Sequence, residues 1–234
     1  MTIILLPGLD GTGLLFAPLL AAIRDTTLLK LKETPMVLPL SYPKETLDYQ
    51  ALTEYVIEQL PEEDFILVGE SFSGYIAYQI AKNRPKHLKS LIFVASFVSN
   101  PRPILLNLFN LLPRCFLSIT PPNFVVKIFM LGFSAPKETI ELFLDTLDKI
   151  PADILAFRLK EISKLKRIDK TISKPFDINI CYIQATDDYL VPASNAKYLK
   201  CLFKNVNVEQ VKGPHFILQT APAQCAEIIC KQIF

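Results

Sequence analysis

Short, unbroken apolar runs alternate with amphipathic stretches of helix length along most of this chain, and that rhythm constrains its fold more than any other feature. Strands are read at residues 3–6, 35–40, 65–68, 88–95, 178–184 and 206–211, and helices at 14–23, 47–60, 72–83, 193–203 and 223–233. Strands that are apolar throughout, instead of alternating, belong to a parallel sheet covered on both faces by helices. The rhythm lapses after Ser99, and from Pro101 to about Pro175 only helices and loops are expected. Within that stretch Ile140, Phe143, Leu144, Leu147 and Ile150 stand at helical spacing, as in a helix packed on one face. The expectation is one α/β fold with a reduced, mostly parallel sheet of about six strands and helices on both faces. Residues 1–98 and 176–234 form its core, and residues 99–175 a helical cap insertion.

Composition narrows the function classes. The chain has 234 residues, of which 50% are hydrophobic and 21% charged, enough apolar material for a substantial core. A formal net charge of +2 gives no case for nucleic-acid binding, which needs a concentrated basic face. Residues 2–6 are apolar but too few for a secretory signal, and they lack a basic flank. The five cysteines, Cys115, Cys181, Cys201, Cys225 and Cys230, form no C-x-x-C pair and read as reduced thiols of a cytoplasmic protein. The two histidines are not spaced with each other or with cysteine as zinc ligands are, so no metal is expected.

The string Gly69-Glu70-Ser71-Phe72-Ser73-Gly74 places a serine between a buried strand and a helix. For the serine oxygen to project from the end of the sheet the turn must be tight and its flanking residues small. Gly69 meets that requirement, and Ser73, with Gly74 beside it, stands where a second glycine is usual.

A neutral serine hydroxyl is a poor nucleophile and needs a base, most often histidine. His87 lies in a charged helix–strand connection and reads as a solvated surface residue. His215, in Gly213-Pro214-His215-Phe216, follows the last strand and so opens at the carboxyl edge of the sheet, as Ser71 does. The imidazole in turn needs a carboxylate. Asp187 and Asp188 both follow the strand at 178–184. Asp188, four residues before Pro192, is preferred, and Asp187 is assigned a turn or capping role. Charge developing on an attacked carbonyl oxygen calls for fixed backbone donors. The Phe72 N–H is one, and the turn Pro7-Gly8-Leu9-Asp10-Gly11-Thr12-Gly13 supplies the other, expected from Leu9. That glycine-bearing turn matches neither of the common phosphate-binding patterns.

With these pieces in place the chain resembles the α/β-hydrolase superfamily from end to end. The resemblance rests on Pro7-Gly8-Leu9, on the Gly69–Gly74 string, on Asp188 before Val191-Pro192, and on Gly213-Pro214-His215, in the family's order Ser, Asp, His. The chain departs from it at Pro7, where the family commonly has histidine, and at Ser73, where it has glycine. The resemblance implies catalytic Ser71, Asp188 and His215, an oxyanion hole from Leu9 and Phe72, and no cofactor. Members with an aspartate nucleophile, such as dehalogenases and epoxide hydrolases, are disfavoured by Ser71.

The expected activity is hydrolysis of a carboxylic ester, with a lipophilic acyl or alcohol group accommodated by the apolar insertion. No apolar span there reaches the roughly 20 residues of a membrane-crossing helix. A thioesterase or acyltransferase using the same residues is the alternative within enzymes, and a non-catalytic lipid or ligand carrier the alternative outside them. The basic stretch 158–174, tempered by Glu161 and Asp169, reads as a solvated face or as a docking surface for an acyl carrier protein or an anionic membrane.

Overall fold

A computed structural model of the chain describes residues 1–30, 35–83, 85–111, 122–166 and 176–233. Cys115 and the Arg167, Asp169, Lys170 and Lys174 part of the basic stretch lie outside the described residues. Among the described residues six strands form one sheet: β1 (Thr2–Leu6), β2 (Met36–Pro39), β3 (Phe65–Glu70), β4 (Leu88–Val94), β5 (Phe176–Ala185) and β6 (Phe203–Val211). Their spatial order is β2-β1-β3-β4-β5-β6, and every neighbouring pair runs parallel. The expected sheet of about six strands is therefore present.

Side chains alternate across the sheet, and each set meets its own helices. Ile3 and Leu5 point into a core with Ile66, Val68, Ile92 and Val94, covered by α1 (Ala17–Lys30) and by α9 (Ile217–Thr220) and α10 (Pro222–Cys230). Ile4 and Leu6 point the other way, toward Leu67, Leu91, Phe93 and Tyr182, covered by α2 (Tyr49–Ile57), α3 (Ser73–Lys82) and α8 (Asn195–Leu202). All five residues of β1 are buried, which explains its apolar run. At the sheet's edge β2 is mostly exposed and ends on Pro39, a position that tolerates the missing N–H.

Between β4 and β5 the described residues contain no strand. They form α4 (Pro103–Leu111), α5 (Asn123–Val126) running into a π-helical turn (Lys127–Leu131), α6 (Lys137–Leu147) and α7 (Ala152–Lys164). A separate apolar cluster of Val126, Leu131, Ile140 and Phe143 joins this segment to Leu15, beyond β1, and to Phe216. Among the described residues no helix is long and apolar enough to cross a membrane.

The strand order sets the place of the site. Successive connections run outward from β1 to β2, then return past β1 to β3 and continue to β6, so the direction reverses between β1 and β3. In an open parallel sheet the crevice lies at that reversal, outside the carboxyl ends of the strands. The turn after β1 and the residue after β3 emerge there side by side.

Candidate active site

Ser71 follows β3 directly and adopts φ 46°, a left-handed conformation that costs a non-glycine residue free energy. Its surroundings enforce it. The Ser71 N–H donates to the Val94 carbonyl at 2.9 Å, and the Ser71 carbonyl accepts from the Gly74 N–H at 3.1 Å and the Ser96 hydroxyl at 2.7 Å. A Cβ at Gly74 would stand 1.8 Å from Ser96 Oγ and 2.8 Å from the Phe97 carbonyl oxygen, so the close approach requires glycine.

The Ser71 oxygen lies 2.8 Å from His215 Nε2, and His215 Nδ1 lies 2.8 Å from Asp188 Oδ2. The carboxylate on Nδ1 fixes the tautomer in which Nε2 faces Ser71 as an acceptor. The other Asp188 oxygen accepts the N–H groups of Leu190 and Val191, each at 2.8 Å. Both members of the His215–Asp188 pair are almost fully enclosed, with side chains 6% and 3% exposed. Asp187 is exposed and contributes its N–H to the Gly213 carbonyl at 2.9 Å, so Asp188 is the neighbour that meets the imidazole. His87 is half-exposed and pairs with Asp64 at 3.2 Å.

The turn after β1 is pinned carbonyl by carbonyl. Pro7 accepts from the Ser73 hydroxyl, which in turn meets the buried Tyr42 hydroxyl. Gly8 accepts from the Gly11 N–H at 3.1 Å, and Gly11 from the Tyr42 N–H at 2.7 Å. Leu9 and Asp10 both accept from Arg158 of α7, at 2.9 and 2.8 Å. The Asp10 carboxylate caps the turn through the Thr12 N–H and hydroxyl. The N–H groups of Leu9 and Phe72 donate to no described residue.

Glu70, immediately before Ser71, is buried beneath this arrangement. Its carboxylate accepts from Gln219 Nε2 at 3.1 Å and from the Gly8 N–H. Burial, and then the nearby Asp10 carboxylate, push its pKa up to about 7, although both hydrogen bonds and His215 pull it down. Cysteine offers no rival nucleophile at Cys181 or Cys225, whose thiols burial pushes up to about 12. Among the described residues no group of three or more His, Cys, Asp or Glu is arranged to hold a metal ion.

No family model matches the chain, and no curated protein matches it in sequence. Its structure is similar to that of an esterase from Exiguobacterium antarcticum, with a TM-score of 0.77 at 13% identity, covering 100% of this chain and 91% of that one. A bromoperoxidase from Bacillus anthracis matches at 0.76 and 17% identity, over 99% and 91% of the two chains. A lipase-esterase related protein from Clostridium acetobutylicum ATCC 824 matches at 0.74 and 18%, over 98% and 93%. The chain has the α/β-hydrolase fold. One fold carries many chemistries, and the chemistry of each member lies in its site.

On this α/β-hydrolase scaffold the structure brings Ser71, His215 and Asp188 into one hydrogen-bonded row and sets the Leu9 turn beside it. One sequence expectation is corrected. Arg158 and Glu161 do not belong to a solvated basic face, since both are buried, while Lys160, Lys164 and Lys166 of the same stretch are exposed. Sequence reasoning also missed Glu70, Tyr42 and Ser96 as residues that hold the site. Only Glu70 lay inside a motif already in view.

Proposed function

We propose that the protein is a serine hydrolase that cleaves a carboxylic ester through an acyl-serine intermediate. The observation that carries this reading is the unbroken row Ser71 Oγ–His215 Nε2 and His215 Nδ1–Asp188 Oδ2, with both links at 2.8 Å. In the proposed reaction Ser71 Oγ attacks the ester carbonyl carbon while His215 Nε2 takes the hydroxyl proton. The Leu9 and Phe72 N–H groups hold the resulting oxyanion. Collapse breaks the bond to the alcohol oxygen, which leaves with the proton from His215, and the acyl group stays on Ser71. A water molecule, deprotonated by His215, then releases the carboxylic acid and restores the serine.

A lipophilic acyl or alcohol group is proposed from the segment between β4 and β5. Its Met130 carbonyl accepts the Phe216 N–H at 3.2 Å, and Phe143 meets the Phe216 ring edge-to-face at 5.0 Å, so it borders the His215 loop. The same segment exposes the large apolar side chains of Ile104, Leu108, Phe124, Phe129 and Phe133. Hydrolysis of p-nitrophenyl esters from acetate to palmitate, by wild type and Ser71→Ala, tests the proposal. Turnover by wild type alone, rising with acyl length, is expected. Equal turnover by both proteins would remove Ser71 from the reaction. A new ester formed with added alcohol would mark acyl transfer instead of hydrolysis.

A further inference from the structure

Arg158 is an unusual resident of a buried site. It sits in the middle of α7 with 3% of its surface exposed, and the described hydrogen bonds of its guanidinium all go to backbone carbonyls. One terminal nitrogen bridges Leu9 and Asp10, and the other reaches Pro43 at 3.4 Å. The guanidinium lies 5.6 Å from the centre of the Tyr42 ring, and Asp10 balances part of its charge. The turn is shaped to admit it. Gly11 has φ 69°, and a Cβ there would stand 2.3 Å from the bridging nitrogen. Burying a cation is unfavourable unless its donors find partners, and here two carbonyls of the turn and the Pro43 carbonyl accept from it.

We propose that Arg158 is a positioning residue for the reaction: reaching down from α7, it fixes the Leu9–Asp10 peptide so that the neighbouring Leu9 N–H faces the reacting carbonyl oxygen. The inference rests on the oxyanion role proposed above for Leu9. It makes the segment between β4 and β5 part of the catalytic scaffold as well as a cover, because the turn loses two of its anchors when α7 is displaced. Lysine replaces arginine only in part here. A single ammonium on a flexible stem lacks the planar fork that spans two adjacent carbonyls and a third.

The test compares wild type with Arg158→Ala and Arg158→Lys. For Arg158→Ala a fall in kcat of about 100-fold is expected from loss of alignment, with KM changed little. Arg158→Lys should recover only part of it, and added guanidinium ion should raise kcat of Arg158→Ala without raising that of wild type. Amide hydrogen exchange at Gly11 and Tyr42, whose N–H groups bond the Gly8 and Gly11 carbonyls of the turn, read by NMR without substrate, should be faster in Arg158→Ala while β3 and β4 keep their protection. Unchanged exchange in that turn would overturn the inference whatever the enzyme hydrolyses. So would unchanged kcat, or a loss confined to KM. A wild-type protein without ester turnover, but with faster exchange in the variant, would count against the proposed function and leave the role of Arg158 in the turn standing.

Discussion

Ser73 occupies a position where this fold commonly carries glycine, and its hydroxyl is enclosed between the Tyr42 hydroxyl and the Pro7 carbonyl. The extra atoms fit because they form a link between α3 and the turn after β1. Removing them leaves two buried polar groups without that partner, which costs about 1–3 kcal/mol. Ser73→Ala is therefore expected to lower unfolding free energy by that amount in a denaturant titration and to slow ester turnover as the Leu9 turn loosens. Unaltered stability and turnover would mean that Ser73 is only a tolerated small residue. The neighbouring Ser96 acts on the other side of the same turn, holding the Ser71 carbonyl while Ser71 keeps its left-handed backbone.

At the scale of elements, α6 bears on the site through Phe143, whose ring meets Phe216 next to His215. Phe143→Ala should cost about 3–5 kcal/mol, the usual range for deleting a buried aromatic ring. Because the lost contact adjoins the His215 loop, its kcat should also fall. A stability loss with kcat intact would show that α6 packs without aligning the base. The elements themselves were largely legible in the sequence, because buried parallel strands carry their apolar character in every residue. Their ends were less so. β6 begins at Phe203 instead of residue 206, since Lys204 and Asn205 on an edge strand break the apolar signal. The final helix expected at 223–233 is present as Pro222–Cys230 with a tighter turn over Lys231–Ile233, and Pro222 suits its first position; the short helix at Ile217–Thr220 before it was not anticipated. The row Ser71, Asp188, His215 could be read because each residue follows a recognisable strand. Arg158 could not. Its partners lie 149 and 148 residues away, and in sequence it looks like any other cation of a basic stretch.

For the whole molecule, the buried Glu70 ties stability to pH. Its folded pKa of about 7 lies above the ordinary value of 4.5, so between these values the folded state binds more proton than the unfolded chain. Its contribution is therefore complete below about pH 4.5 and is lost as pH rises through about 7, by about 3 kcal/mol in all. Relative to wild type, Glu70→Gln should gain stability as pH rises through that window, and an unchanging difference would show that Glu70 stays ionised. The same folding places three loops, after β3, β5 and β6, at one edge of the sheet, and the proposed role of Ser71 as nucleophile depends on all three. Incubation with a fluorophosphonate, followed by intact-mass and peptide mapping of wild type, Ser71→Ala and His215→Ala, tests it most directly. One adduct is expected, on Ser71, absent from Ser71→Ala and formed far more slowly in His215→Ala. No adduct, an adduct elsewhere, or equal labelling without His215 would contradict it.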